Sequence, residues 1–409
     1  MLDLSDDRGA MCGKIFVDLG AEVIKIEPSS GCPTRRIPPF LDGEAGEDRS
    51  LYFLAHQAGK LSVTANLDSP DGRAVVRDLA AKADFIVESL PAGYMDSIGL
   101  GFDALAGANP RLIYAAISPF GEDGPGRDYK AYEAVSWAAG GMMFLMGEPG
   151  RPPLQMSLPQ AGLHAGAEAA IASLLAHFAR QRDGRGQRIV INMQACIVWT
   201  LMNEQAMPIM HGDFLRRQGV YLGSPKLRRK FVFRCKDGFV AMMITGGAVG
   251  SRSTRRLVEW MDEKGFAADW MKHQDWSAWT PAVFMALNER DLRENAEMES
   301  SVERFFSTMT KHELYSEGAR RGVLLGPVMS AADTAADEQL AAREFFVDVD
   351  HPALGRMIRR PGAFAKFSRT PLAPPRPAPR LGEHNAMVYG SLLGYSAERI
   401  AQLRASGAI

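Results

Sequence analysis

Four cysteines (Cys12, Cys32, Cys196 and Cys235) in 409 residues are few and scattered, with no CxxC pair and no Cys/His metal spacing. That pattern excludes a disulfide scaffold and gives no reason to expect a metal site. Reduced, mostly buried thiols in a cytoplasmic protein are the expectation. No apolar run approaches the roughly 18 residues needed to cross a bilayer. The opening residues include Asp3, Asp6 and Asp7, the opposite of the basic start of a signal peptide. Charge of one sign is not in excess either: Lys+Arg 47 against Asp+Glu 48 leaves a net −1. Neither nucleic acid nor an anionic membrane is therefore expected as a partner. There is no GxGxxG after a strand, no Walker loop and no G-x-S-x-G. The glycines at 121–126 and 246–250 read as ordinary turns. Internal repeats are not apparent.

What the chain does have is a 46% hydrophobic composition, enough for a large core and more than one domain. Leu2 to Leu4 is a short apolar run, Gly9 to Leu19 has helical period, and E-V-I-K-I-E from Glu22 to Glu27 reads as a strand. Such a β-α-β start implies a parallel sheet. Further strands are expected at 61–67, 85–88 and 112–118. A helix over 71–82 is opened by Ser69 and Pro70. A long Ala/Leu/Ile-rich helix, 161–182, ends at the turn Asp183-Gly184-Arg185-Gly186, and a strand over 188–193 follows. Residues 212–225 turn irregular. A new unit begins at Phe231 with a hairpin around Lys236-Asp237-Gly238, followed by helices rich in charge and Trp. Val323 to Ser330 is strand-like, Pro371 to Pro379 is an extended connection, and a last helix covers about 396–406. The fold class is α/β, with a first large domain over 1–210, a small domain over 226–320 and a C-terminal return over 321–409.

Lys130-Ala131-Tyr132-Glu133 places a cation, a phenol and a carboxylate just before an apolar helix that opens into Gly140-Gly141. A partly desolvated Glu133 there can act as acid or base. An exposed glutamate favoured by the helix dipole fits the same pattern. The residues alone leave both open.

Six motifs in order carry a family resemblance: L-G-A-E-V-I-K-I-E-P from Leu19, N-L-D-S-P-D-G from Asn66, A-D-F-I-V-E from Ala83, G-R-G-Q from Gly184, G-P-V-M-S from Gly326 and L-G-E-H from Leu381. With them the chain resembles the class III CoA-transferase family (the CaiB/BaiF type, with formyl-CoA transferase and α-methylacyl-CoA racemase as relatives). The resemblance implies a Rossmann-like large domain built from both chain ends, a small α+β domain and an interlocked dimer. It implies coenzyme A or an acyl-CoA as substrate, with a carboxylic acid as second substrate and no permanently bound cofactor. The first strand begins almost at Met1, so against the usual family start the N-terminus reads as clipped.

By the same resemblance Arg35 and Lys130 fall on basic CoA-binding positions. Ser89 stands where an asparagine is usual, Ser97 where an arginine is usual, and Gly59-Lys60-Leu61 replaces N-K-R. The family transferases use an aspartate as nucleophile toward the thioester. The segment from Pro152 to Ala161 aligns without gaps up to that aspartate, and the next residue is Gly162. Tyr132 occupies the position of the racemases' histidine. The glycine-rich loop of formyl-CoA transferase is absent; Gly219 to Gly223 and the basic run Lys226 to Lys230 stand there. Glu133 and Tyr132 remain as catalytic candidates, Glu133 as base or substitute nucleophile and Tyr132 positioning a carbonyl. Gly162 is expected to open space for a bulkier acyl group. The expected function is transfer of CoA between carboxylic acids. The alternatives are a non-catalytic subunit paired with a paralogue, an acyl-CoA isomerase, hydratase or lyase, or a homodimer that binds acyl-CoA without turnover.

Overall fold

Short apolar strands separated by amphipathic helices can bury both sheet faces only in a parallel, doubly covered sheet, and the computed structural model has one. It describes residues 1–46, 48–202, 204, 208–209, 212, 214–223, 228–279 and 288–409. The chain divides into two compact units, Met1–Phe144 with Gln155–Leu215 and Glu338–Ile409, and Leu145–Leu154 with Arg216–Asp337.

The large unit holds β1 (Leu2–Leu4), β2 (Ile24–Glu27), β3 (Leu61–Thr64), β4 (Phe85–Glu88), β5 (Ile113–Ser118) and β6 (Arg188–Asn192). They lie in the order β3-β2-β1-β4-β5-β6, all parallel. This is the doubly wound order, with the direction of winding reversing between β1 and β4. Leu2 fixes the register from the middle, opposite Ile24 on one side and Ile86 on the other. Around the sheet pack α1 (Ala10–Asp18), α2 (Leu51–His56), α3 (Pro70–Lys82), α4 (Glu133–Ala139) and α5 (Ala161–Asp183). Ser69 makes no side-chain cap on α3, where Pro70 supplies the first-turn geometry instead. Ser50 does cap α2, accepting the Phe53 N–H at 3.2 Å.

Buried charge ties β1 to its neighbours. Asp3 accepts Lys60 Nζ at 2.7 Å and Lys25 Nζ at 3.2 Å, and all three side chains are buried. Burial opposes ionisation of Asp3, but the two ammonium groups outweigh it and hold the carboxyl far below its usual range. Lys60, at the position of the family N-K-R motif, is thus part of the core.

The C-terminal segment covers the open edge of β3. His384 N–H bonds the Ser62 carbonyl at 2.9 Å, Asn385 accepts the Thr64 N–H at 2.9 Å, and Tyr389 donates to the Thr64 carbonyl at 2.6 Å. An edge strand left bare would invite pairing with another chain. The hairpin of β12 (Phe346–His351) and β13 (Arg356–Pro361), turning at Gly355 with φ 62°, was not expected from the sequence.

The small unit pairs β7 (Tyr221–Gly223) with β8 (Arg228–Lys230). It also builds an antiparallel sheet of β9 (Val232–Cys235), β10 (Gly238–Met242) and β11 (Leu325–Pro327). The rest of the Lys226 to Lys230 run lies outside the described residues. The hairpin at Lys236-Asp237 forms as expected. β11 pairs with β10, which draws residues up to Asp337 into this unit. Its helices include α6 (Gly247–Glu263), α7 (Glu289–Phe306) and α8 (Lys311–Arg321). Asn288 with Asp291 and Thr310 with Glu313 form capping boxes on the last two. Trp260 stacks edge-on to Phe305, ring centroids 5.0 Å apart, in the unit's core.

Candidate functional site

In an open parallel sheet, loops that leave adjacent strands in opposite directions create a crevice at the strands' carboxyl ends, at the switch point. Here that place lies above β1 and β4. The loop after β1 carries Asp6, Asp7 and Arg8, the loop after β4 begins with Ser89, and the N-terminus of α5 approaches from the side.

Glu133 is the first residue of α4, and its carboxylate caps α5. Oε1 accepts the Ala161 N–H at 2.6 Å, the Gln160 N–H and the Trp137 indole N–H at 2.7 Å; Oε2 accepts the Gly162 N–H at 3.1 Å. A carboxylate satisfies the free N–H groups of a helix start and opposes the positive end of its dipole. The structure therefore brings Glu133 and Gly162 together, with Glu133 as the cap. Three backbone N–H groups and the Trp137 indole N–H occupy the oxygens that a base or nucleophile would need.

Gly162 does not open space. A Cβ there would lie 3.1 Å from the Asp7 carbonyl oxygen and 3.2 Å from Arg8 Cα. Gly166, one turn on, is as tight, 3.1 Å from the Cys12 backbone nitrogen. With Ala165 and Ala169 these glycines form a buried stripe on α5. The stripe lets α1 and the loop before it approach closely. The expectation of a wider acyl pocket at 162 is corrected on this ground: the missing side chain is replaced by the backbone of residues 7 and 8.

The loop itself is knitted by polar contacts. Ser89 Oγ donates to Asp6 at 2.7 Å and accepts the Asp6 N–H at 2.8 Å. Arg8 Nε donates to Asp6 at 2.9 Å. Tyr52 Oη donates to the Asp7 carbonyl at 3.2 Å. Ser89 is buried in this network. Burial, then the neighbouring Asp6 and Glu133 carboxylates, push the Asp7 carboxyl above its ordinary value. Burial pushes Glu88, at the end of β4, up to about 8, so it is protonated at neutral pH.

Arg35 is 1% exposed. It forks onto Glu27 at 2.7 and 2.8 Å, donates to Asp48 at 2.8 Å and to the Pro379 carbonyl at 3.2 Å, and stacks over Phe53. Such a buried bidentate pair braces the 27–35 loop and leaves little guanidinium for a ligand. Lys130 and Tyr132 are exposed, Tyr132 at 73%. A slot of about 300 Å³ opens at the carboxyl ends of β1 and β2, walled by Leu4, Ile26, Pro28, Leu67, Leu90 and Tyr94 with Asp68 at its rim. A larger hollow of about 470 Å³, beside Lys60, His351 and Arg376, lies at the amino end of β3, away from the switch point.

Asp7, Tyr52 and Glu88 were not singled out by the sequence as site residues. The available signal was the Asp6-Asp7-Arg8 charge run in the first strand-to-helix turn, the place where this topology puts ligands.

A doubly wound sheet with its polar side chains gathered at the switch point defines an α/β protein whose ligand crevice lies at the carboxyl ends of its strands. More narrowly, the chain belongs to CoA-transferase family III, whose model matches residues 8–385. It is 32% identical, over 100% of its length and 97% of the relative's, to the BbsE subunit of succinyl-CoA:(R)-benzylsuccinate CoA-transferase from Thauera aromatica. It is 30% identical to succinate–glutarate CoA-transferase of Agrobacterium fabrum, covering 94% of this chain and 92% of that one. A crystal structure of a CaiB/BaiF family protein from Brucella suis superposes with TM-score 0.79 at 28% identity, covering 96% of this chain and 97% of that one.

Proposed function

We propose that this chain binds an acyl-CoA at the switch-point crevice and takes part in moving CoA from one carboxylic acid to another. The observation that carries the reading is the family match over 8–385, which spans every strand-end loop that builds the crevice except the first residues of the β1 loop. The slot beside Leu4 and Tyr94 suits the base of CoA: its walls are mostly apolar, and Asp68 can accept from an exocyclic amine but would repel a phosphate. Lys130, exposed beside Tyr132, suits the anionic part of the substrate. Tyr132 is free to turn toward a bound carbonyl, and Glu133 fixes the helix end beneath it. Arg35 and Ser89 support the ligand loops rather than touching the ligand.

A second reading, that the chain works as one subunit beside a paralogue, is favoured by two observations. One relative is itself named a subunit. The other is an exposed apolar face on α5, Ile171, Leu174, Leu175 and Phe178, at helical spacing. Both fit an interlocked dimer, with itself or with the paralogue. Four buried free cysteines fit a cytoplasmic setting, and among the described residues no helix is long and apolar enough to cross a membrane.

The test is succinyl-CoA-dependent transfer to a panel of carboxylic acids, measured with the chain alone and with a co-expressed paralogue. Transfer by the chain alone supports a self-sufficient enzyme. Transfer only with the paralogue supports the subunit reading. No calorimetric binding of CoA or succinyl-CoA in either form, and no transfer, overturns both.

A further inference from the structure

The peptide between Asp7 and Arg8 lies where a side chain at 162 would project, within 3.1 Å of the position its Cβ would take. The residue whose carbonyl fills the place of the missing side chain is itself an aspartate, and its carboxyl feels the charge of Glu133, the cap at the start of α5. The other carboxylates gathered there are engaged. Glu133 accepts four N–H groups as the helix cap. Asp6 is paired with Arg8 and Ser89. Glu88 is neutral at pH 7 and accepts the Leu90 N–H at 2.6 Å, and Glu122 is paired with Arg188 at 2.5 Å. Asp7 differs: among the described residues its carboxylate accepts its own backbone N–H and feels the Arg8 charge but makes no side-chain hydrogen bond or ion pair, while its carbonyl is held by Tyr52.

We propose that Asp7 supplies the carboxylate that attacks the acyl-CoA thioester, in place of the aspartate that the family resemblance puts at position 162. The inference rests on the transferase reading above. An Asp7 carboxylate oxygen forms a bond to the thioester carbonyl carbon. The carbon–sulfur bond breaks and its electron pair leaves on CoA as the thiolate, giving a mixed anhydride without any proton transfer. The thiolate then attacks the Asp7 acyl carbon, the donor acid leaves as its carboxylate, and Asp7 carries CoA as a thioester. Partial burial and the facing Asp6 and Glu133 carboxylates make Asp7 a more basic, hence stronger, nucleophile once ionised.

The experiment incubates the full chain, alone and with the co-expressed paralogue, with succinyl-CoA. It quenches with hydroxylamine and maps the hydroxamate by peptide mass spectrometry. The expected result is a hydroxamate on Asp7 that disappears in Asp7→Asn, with kcat falling ~100-fold or more while calorimetric affinity for succinyl-CoA stays within ~3-fold. Asp7→Glu, which keeps the carboxylate, is expected to retain part of the adduct and controls for misfolding of the amide variant. Transfer that proceeds with the adduct on Glu133, on the paralogue alone or nowhere, or that survives Asp7→Asn, overturns the role of Asp7 and leaves the transferase reading standing. No adduct and no transfer in any combination overturns both.

Discussion

Glu88 ends the fourth strand with its carboxyl inside the protein, and its titration should be visible in the stability of the whole chain. Burial raises it first and Glu122 adds to that; the Leu90 N–H, Arg8 and Arg188 pull the other way and lose. In the unfolded chain the group ionises near its ordinary value, whereas folded it holds its proton up to about 8. The native state therefore binds the extra proton between those values, and stability present at low pH is lost as pH rises through that window. The slope is about 1.4 kcal/mol per pH unit. Denaturant unfolding between about pH 5 and 8 should show this decline in the wild type and a flatter profile in Glu88→Gln, whose side chain does not titrate. Identical slopes would mean that Glu88 is ionised in the folded protein.

The α5 helix is placed by what it lacks. Gly162 and Gly166 meet backbone atoms of residues 7, 8 and 12 at 3.1–3.2 Å once a Cβ is added, and backbone cannot rotate out of the way as a side chain can. Gly162→Ala should therefore destabilise the protein by about 1–3 kcal/mol despite alanine's better helix propensity. A lowered thermal midpoint with unchanged secondary structure is the expected readout; a raised midpoint would show that the loop yields. The helix itself was legible in the sequence, as were the parallel strands, because period and turn residues are local properties. Its end was not. Nothing in the spacing of Glu133 and Gly162 reveals that the first caps the helix that carries the second, since the two lie 29 positions apart. Arg35 shows the same limit: a cation in a ligand loop looks available until Glu27, eight residues back, takes its fork. The β12–β13 hairpin was missed because only one strand alternates, through Val347-Asp348-Val349-Asp350, while its partner carries three arginines and a terminal proline that do not mark a strand.

For the molecule as a whole, the exposed side chains along α5 are the feature that the core does not account for. Leu175 and Phe178 are each 64% exposed on the same face as Ile171 and Leu174. If that face meets another subunit, the double substitution Leu175→Asp with Phe178→Asp should shift sedimentation toward a smaller species without loss of helix content. A species that is already monomeric in the wild type would remove the reason for the pairing. The same unit is stitched from three stretches of chain, and its last pieces sit deep: Ala408 and Ile409 are buried, and the Ala408 carbonyl accepts the Asn66 N–H at 2.8 Å. During synthesis the small unit, Leu145–Leu154 with Arg216–Asp337, is complete while the sheet that begins at Leu2 still waits for the residues that close its edge. β3, made early, is among the last strands to have its edge secured, and until then it stands open to whatever strand, chaperone groove or sister polypeptide reaches it first.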